Sequence, residues 1–250
     1  VNVVNEWDSP YGAGWTWAGI GCLRVYENDP HVPDGVLVAL GDGKAHWFAK
    51  QGNSYLRPAG TFMQLVRDQD GTYTLTDAWG TRRKFNTQGI MTSRVQRWGD
   101  AYAYAYIDAD GDGRADDISS ITDPWGRQTL FAYAAGKLSS VTDYAGRTMV
   151  CGFSGRDLVS LTLPDPDGAG PASPRQILYE YVNHRMTEED HGQGVLVAYE
   201  YDPWFRTSAW VYADSSRTEL VSPESHGFGS PNQAAPAPVT VLSAANGQLT

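Results

Sequence analysis

Ile118-Ser119-Ser120-Ile121-Thr122-Asp123-Pro124-Trp125-Gly126-Arg127-Gln128-Thr129-Leu130-Phe131-Ala132-Tyr133 is the stretch whose reading decides the fold. It runs from an apolar/Ser segment, through an Asp/Gly turn, into an alternating segment. Thr129, Phe131 and Tyr133 fall on one face, and Leu130 and Ala132 on the other. A period of two is the signature of a strand, and a short Asp/Gly turn between two such runs is that of a hairpin.

The pattern recurs. Thr-Asp-x-x-Gly occurs at Thr76–Gly80, Thr122–Gly126 and Thr142–Gly146, and Gly-Arg leads to a threonine after the last two. Leu138-Ser139-Ser140-Val141 repeats Ile118–Ile121. A worn copy follows at Leu158-Val159-Ser160-Leu161, leading to Asp165-Pro166-Asp167-Gly168. Tyr73 and Leu75, Tyr179 and Tyr181, and Tyr199 and Tyr201 also alternate, and no segment carries a helical apolar stripe. The prediction is all-β: an array of antiparallel β-hairpin repeats forming a curved ribbon or open shell segment. Residues 1–70 form an entry region, 71–220 the repeats, and 221–250 a Pro/Ala/Ser-rich tail.

Composition agrees. A chain of 250 residues can bury roughly 70–75% of its unfolded surface, enough for a core without a metal or disulfide. Nine Trp and fourteen Tyr favour strands. The net charge of −10 argues against nucleic acid, whose phosphates require a basic surface. No apolar run is long enough to span a membrane. The chain opens at Val1 rather than Met, and a preceding segment is expected to have been removed. Cys22 and Cys151 lie far apart, as a long-loop disulfide or as two buried thiols.

One stretch interrupts the repeats. Asp108-Ala109-Asp110-Gly111-Asp112-Gly113-Arg114-Ala115-Asp116 places alternate carboxylates on a glycine-bearing loop. Such a loop turns several oxygens toward one hard cation. The predicted ligands for Ca2+ are Asp108, Asp110, Asp112, the Arg114 carbonyl and Asp116. The helix-loop-helix version carries a Glu at the twelfth position, where this chain has Ser119, and the flanking segments alternate as strands. The site is expected to be structural, with the weak affinity of extracellular modules, on the order of 10⁻⁴–10⁻³ M. Asp165 and Asp167 offer too few carboxylates for a comparable second site.

The motif Thr122-Asp123-Pro124-Trp125-Gly126-Arg127 through Tyr133, followed by Gly136-Lys137-Leu138 to Thr148, resembles the unit of the RHS/YD-repeat family, and Tyr201-Asp202 keeps its namesake dipeptide. Pro203-Trp204-Phe205 replaces the usual glycine turn. Tyr11–Trp15, Gly19, and Gly41-Asp42-Gly43 before Trp47 and Phe48 resemble the entry to such a region. The resemblance implies a secreted or cell-surface protein whose ribbons wrap a cargo or mediate adhesion. Five or six units are too few to enclose anything. Open sheet edges would then pair with further copies, as filaments, or with the remainder of a larger RHS shell. Residues 222–238 read as a linker, and Val239-Thr240-Val241-Leu242 as a strand for a neighbour's edge or a frayed end.

The rival function is a secreted hydrolase or carbohydrate-active enzyme. No Gly-x-Ser-x-Gly elbow, His-Glu-x-x-His or phosphate loop is present. Glu180 and Glu200 sit in Tyr-Glu-Tyr triplets, and His184, Arg185, Glu188, Glu189, Asp190 and His191 form a dense polar cluster. The cluster reads as a solvated hairpin tip, and no catalytic residue is assigned. Trp79, Trp98 and Trp125 recur at turn positions. Because large aromatics dominate burial, they are expected to be repeated core plugs, with a glycan-reading ladder as the alternative.

Overall fold

The computed structural model describes residues 9–41, 45–168, 170–192, 194, 196–203, 207–221 and 241–244. These form twenty β-strands, and no helix occurs among the described residues. No helix there is long and apolar enough to cross a membrane. Asp42 and Gly43, Trp204 and Phe205, and the predicted linker 222–238 lie outside the described residues.

The chain divides into two compact units, Ser9–Val150 and Cys151–Thr250. The first opens with a four-stranded antiparallel sheet: β1 (Cys22–Tyr26), β2 (Gly35–Ala39), β3 (Ala45–Gln51) and β4 (Ser54–Tyr55). There follow β5 (Gln64–Arg67), β6 (Tyr73–Thr76), β7 (Arg82–Phe85), β8 (Met91–Val95), β9 (Ala101–Ile107), β10 (Asp117–Thr122), β11 (Gln128–Ala134), β12 (Lys137–Thr142) and β13 (Thr148–Ser154). Each pairs antiparallel with the next in chain order, as the hairpin repeat predicts. The second unit continues the same scheme with β14 (Asp157–Thr162), β15 (Gln176–Val182), β16 (Arg185–Asp190), β17 (Leu196–Tyr201), β18 (Thr207–Tyr212), β19 (Arg217–Val221) and β20 (Val241–Ala244). The β-prone segment near the C-terminus thus pairs with Arg217–Val221 of its own chain.

The core of the first unit joins its two sheets. Leu23, Val36, Val38 and Phe48 of the small sheet meet Leu65, Tyr73, Leu75, Phe85 and Met91 of the long one. The alternation of β6 is the reason: Tyr73 and Leu75 are buried, while Thr74 and Thr76 point to the other face. On β11 the same rule buries Phe131 and leaves Leu130 exposed. Trp17 packs edge-on against Phe131, ring centroids 4.8 Å apart. Full burial of one such ring contributes about 2–3 kcal/mol.

An N-terminal strap holds this face. The Ser9 carbonyl accepts from Lys137 Nζ at 2.8 Å, the Pro10 carbonyl from the Leu138 N–H at 2.8 Å, and the Tyr11 hydroxyl from the Ile118 N–H at 3.4 Å.

A tyrosine recurs where neighbouring strands part. The β10–β11 ladder spans Ser120–Thr122, so Ile118 lies outside it; the Tyr133 hydroxyl donates to the Ile118 carbonyl at 2.7 Å. Tyr106 does the same for Met91 and Tyr201 for Met186, both at 2.6 Å, and both acceptors lie outside the ladders concerned. A bulge lies immediately before Tyr133 and Tyr201 and bends the strand so that the ring can reach back.

The Asp/Gly turns share one chemistry. In the β10–β11 turn, Asp123 Oδ1 accepts from the N–H groups of Trp125 and Arg127 at 2.9 Å each, and the Gly126 N–H donates to the Asp123 carbonyl at 3.0 Å. Asp77 and Asp143 repeat it. The glycine takes a left-handed φ of 80° at Gly126 and Gly146 and 83° at Gly80, which an L residue adopts only with strain. The tryptophans of these turns are not core plugs. Trp79, Trp98 and Trp125 are 81%, 82% and 71% exposed. Each precedes the turn glycine, beyond the last ladder pair, where no facing strand exists to cover the ring.

Candidate metal centre

The acidic loop joins β9 to β10, two strands of one antiparallel hairpin. Its glycines, Gly111 at φ 79° and Gly113 at φ 86°, let the chain double back. Asp108 accepts from the N–H groups of Gly111 at 2.8 Å and Gly113 at 3.0 Å. Asp110 accepts from the Asp112 N–H and Asp112 from the Arg114 N–H, so each carboxylate shapes the turn that follows it.

Carboxylate oxygens of Asp108, Asp110 and Asp117 lie within 4.8 Å of one another. Ligands 2.3–2.6 Å from a calcium ion are at most about 5 Å apart, so a single ion can touch all three. The structure therefore brings together two of the predicted carboxylates, Asp108 and Asp110, with one that the sequence reading missed. Asp112 and Asp116 stand apart from this group. The Arg114 side chain reaches Asp116, Nε to Oδ2 3.2 Å, while the Arg114 N–H serves Asp112.

Asp117 is the first residue of β10, opposite Ile107, and only 3% exposed. Its Oδ2 accepts from the N–H groups of Ala109 at 2.8 Å and Asp110 at 3.3 Å. Burial raises its pKa, against the pull of the Ala109 N–H, and the Asp110 charge adds to the rise. Asp116 is likewise raised, first by burial, with Asp112 and Asp110 opposing the relief from Arg114. A buried carboxylate facing other carboxylates is the electrostatic situation that a divalent cation relieves. The available signal was the Asp116-Asp117 doublet directly before Ile118; a strand's first residue can point into the loop it closes.

Several of the residues weighed for hydrolysis are paired with neighbours. Glu180 stands opposite Glu188 across β15–β16 and is exposed. Glu200 binds Arg217 and is two residues along β17 from Ala198, the partner of Glu188. His184 Nδ1 lies 2.9 Å from Asp157 Oδ1. Glu189 accepts from the Tyr199 hydroxyl at 2.8 Å and lies 2.6 Å from His191 Nε2. Cys22 and Cys151 are free thiols, so the disulfide alternative does not hold.

No family model and no curated protein matches this chain. Among solved structures, that of TcdB2-TccC3-TEV is similar at 12% identity with a TM-score of 0.32, over 78% of this chain and 14% of that one. This chain thus spans a small part of that protein's length. A likeness so shallow carries no argument about activity. What is shown is an antiparallel β-hairpin array.

Proposed function

We propose that the chain is a calcium-pinned β-hairpin repeat module of RHS/YD type with a structural or adhesive role outside the cell. It belongs to a larger shell or assembles through its sheet edges. The observation that carries the calcium reading is the convergence of Asp108, Asp110 and the buried Asp117 at the root of the β9–β10 loop. Calcium takes six to eight ligands; water would supply the rest, and Asp112, the Arg114 carbonyl and Asp116 would join only by a shift of the loop around the ion. The ion would stabilise the hairpin by offsetting the repulsion among carboxylates that burial keeps from water. Support for the repeat-module reading is the recurrence of identical Asp/Gly turns and tyrosine–carbonyl bonds along the strands.

A thermal melt with calcium, with magnesium and with chelator tests the reading. Calcium at millimolar excess should raise the midpoint, since a ligand that binds only the folded state stabilises it by mass action. Asp110→Ala should melt alike in calcium and in chelator. A wild-type midpoint that ignores calcium would remove the metal from the proposal.

A further inference from the structure

We propose that a row of aromatic turn tips on the first unit binds single chains of a neutral β-1,4-linked glycan. This deepens the adhesive half of the function proposed above.

In an antiparallel array every second connection falls at the same edge. Four successive ones at this edge are the turns β6–β7, β8–β9, β10–β11 and β12–β13. They carry Trp79, Trp98, Trp125 and Tyr144, and Tyr144 is 60% exposed. The acidic loop is a β9–β10 connection and lies at the opposite edge. Isolated exposed apolar residues are ordinary on a protein surface, but three tryptophans at equivalent positions, followed by Tyr144 one residue earlier in the next turn, form a pattern that folding does not require.

Three of the four rings are held in place. Arg127 stacks over both Trp125, at 4.9 Å, and Tyr144, at 4.5 Å, and Arg97 over Trp98 at 5.3 Å. A guanidinium over the ring orients it, and Trp98, Trp125 and Tyr144 stay 82%, 71% and 60% exposed. Of the two stacking arginines, Arg127 is anchored to its turn, Nε 2.6 Å from Asp123 Oδ2; two of the other turns carry a similar pair, Arg147 Nη2 2.6 Å from Asp143 Oδ2 and Arg83 3.1 Å from Asp77. Three of the four turns therefore carry a balanced Asp–Arg pair. That favours an uncharged, hydroxyl-rich ligand over a polyanion, which needs unpaired cations.

Spacing selects the linkage. Successive tips are two strands apart, about 9.5 Å, close to one disaccharide of an extended β-1,4-linked chain. Each ring can then stack on the C–H face of every second sugar while the rim bonds the hydroxyls between. A protein partner would want a contiguous patch of about 800 Å²; a single file of separated rings suits a linear ligand. Sheet twist turns each tip about 40–50° from the last, so a single flexible chain fits and the flat face of a crystalline polymer does not.

The test is tryptophan fluorescence titration of the whole chain with cellohexaose and chitohexaose, with maltohexaose as the α-linked control. A saturable change with a β-linked hexamer is expected, weakened about five- to ten-fold by Trp79→Ala, Trp98→Ala or Trp125→Ala singly. The triple variant should lose binding while its melt is unchanged. Binding should survive Asp110→Ala, so failure of the calcium reading leaves this one standing, and the reverse. The proposal is overturned if no β-linked hexamer binds, if maltohexaose binds equally, or if the triple variant binds as the wild type does. It is also overturned if the triple substitution abolishes self-association of the chain, which would make the row a contact between copies.

Discussion

The Tyr133 hydroxyl donates to the Ile118 carbonyl at 2.7 Å, fifteen residues upstream and just outside the ladder that joins their strands. Tyr106–Met91 and Tyr201–Met186 keep the same separation. The side chain supplies the hydrogen bond that the backbone cannot where strands diverge.

Tyr133→Phe removes that donor and keeps the ring. A loss of about 1 kcal/mol is expected, larger if the Ile118 carbonyl is left without water. Urea unfolding should show a lower midpoint with an unchanged slope, and an unshifted midpoint would assign the recurring geometry to packing alone.

Asp117 should make stability fall with rising pH in chelator. Its folded-state pKa is raised, so the stability it contributes is full below the unfolded carboxylate value and is lost as pH rises through the folded one. Asp117→Asn should flatten the melting profile above the ordinary aspartate pKa of about 3.9. Parallel profiles for the two proteins would locate the pH dependence elsewhere.

Two turn glycines should differ sharply. Gly126 and Gly89 both have positive φ, at 80° and 84°. A methyl at Gly126 meets open space, whereas one at Gly89 would lie 2.0 Å from the Leu23 carbonyl oxygen, on the strand that brings the small sheet to the β7–β8 turn. Gly126→Ala should cost about 1–2 kcal/mol in backbone strain, and Gly89→Ala at least about 2 kcal/mol more as packing is forced apart. Chemical denaturation of the pair measures the difference, and equal losses would refute it.

The two thiols should react at different rates. Burial pushes the Cys151 pKa up to about 11, leaving about one thiolate in a thousand at pH 8. Cys22 is exposed. Iodoacetamide followed by peptide mapping should find Cys22 labelled first; equal labelling would mean that Cys151 opens readily to solvent.

The hairpins were legible in the sequence because Asp/Gly turn chemistry and strand alternation are local. Tyr73 and Leu75 occupy one buried face as their spacing indicates. Exposure of the turn tryptophans was not legible: a ring just before the turn glycine is covered only if another element lies there, and sequence does not place that element. Asp117 was hidden for a related reason, since alternation assigns a strand residue to a face and says nothing of the loop its end adjoins. The small sheet of β1–β4 shows no repeat, and its pairing follows from the apolar face it shares with β6 and β7.

The strap at Ser9, Pro10 and Tyr11 sets a sequence of events in time. Its bonds to Ile118 and Lys137 span 107 and 128 residues, while each hairpin closes within a short stretch of chain. Loop closure over such a span carries an entropy that a hairpin avoids, and rates fall as contacts become less local. The hairpins should zip in advance and the strap close onto Ile118, Lys137 and Leu138 last. On unfolding it should leave first, so that amide exchange at Leu138 runs ahead of that at Leu75 while the rest of the array stays intact.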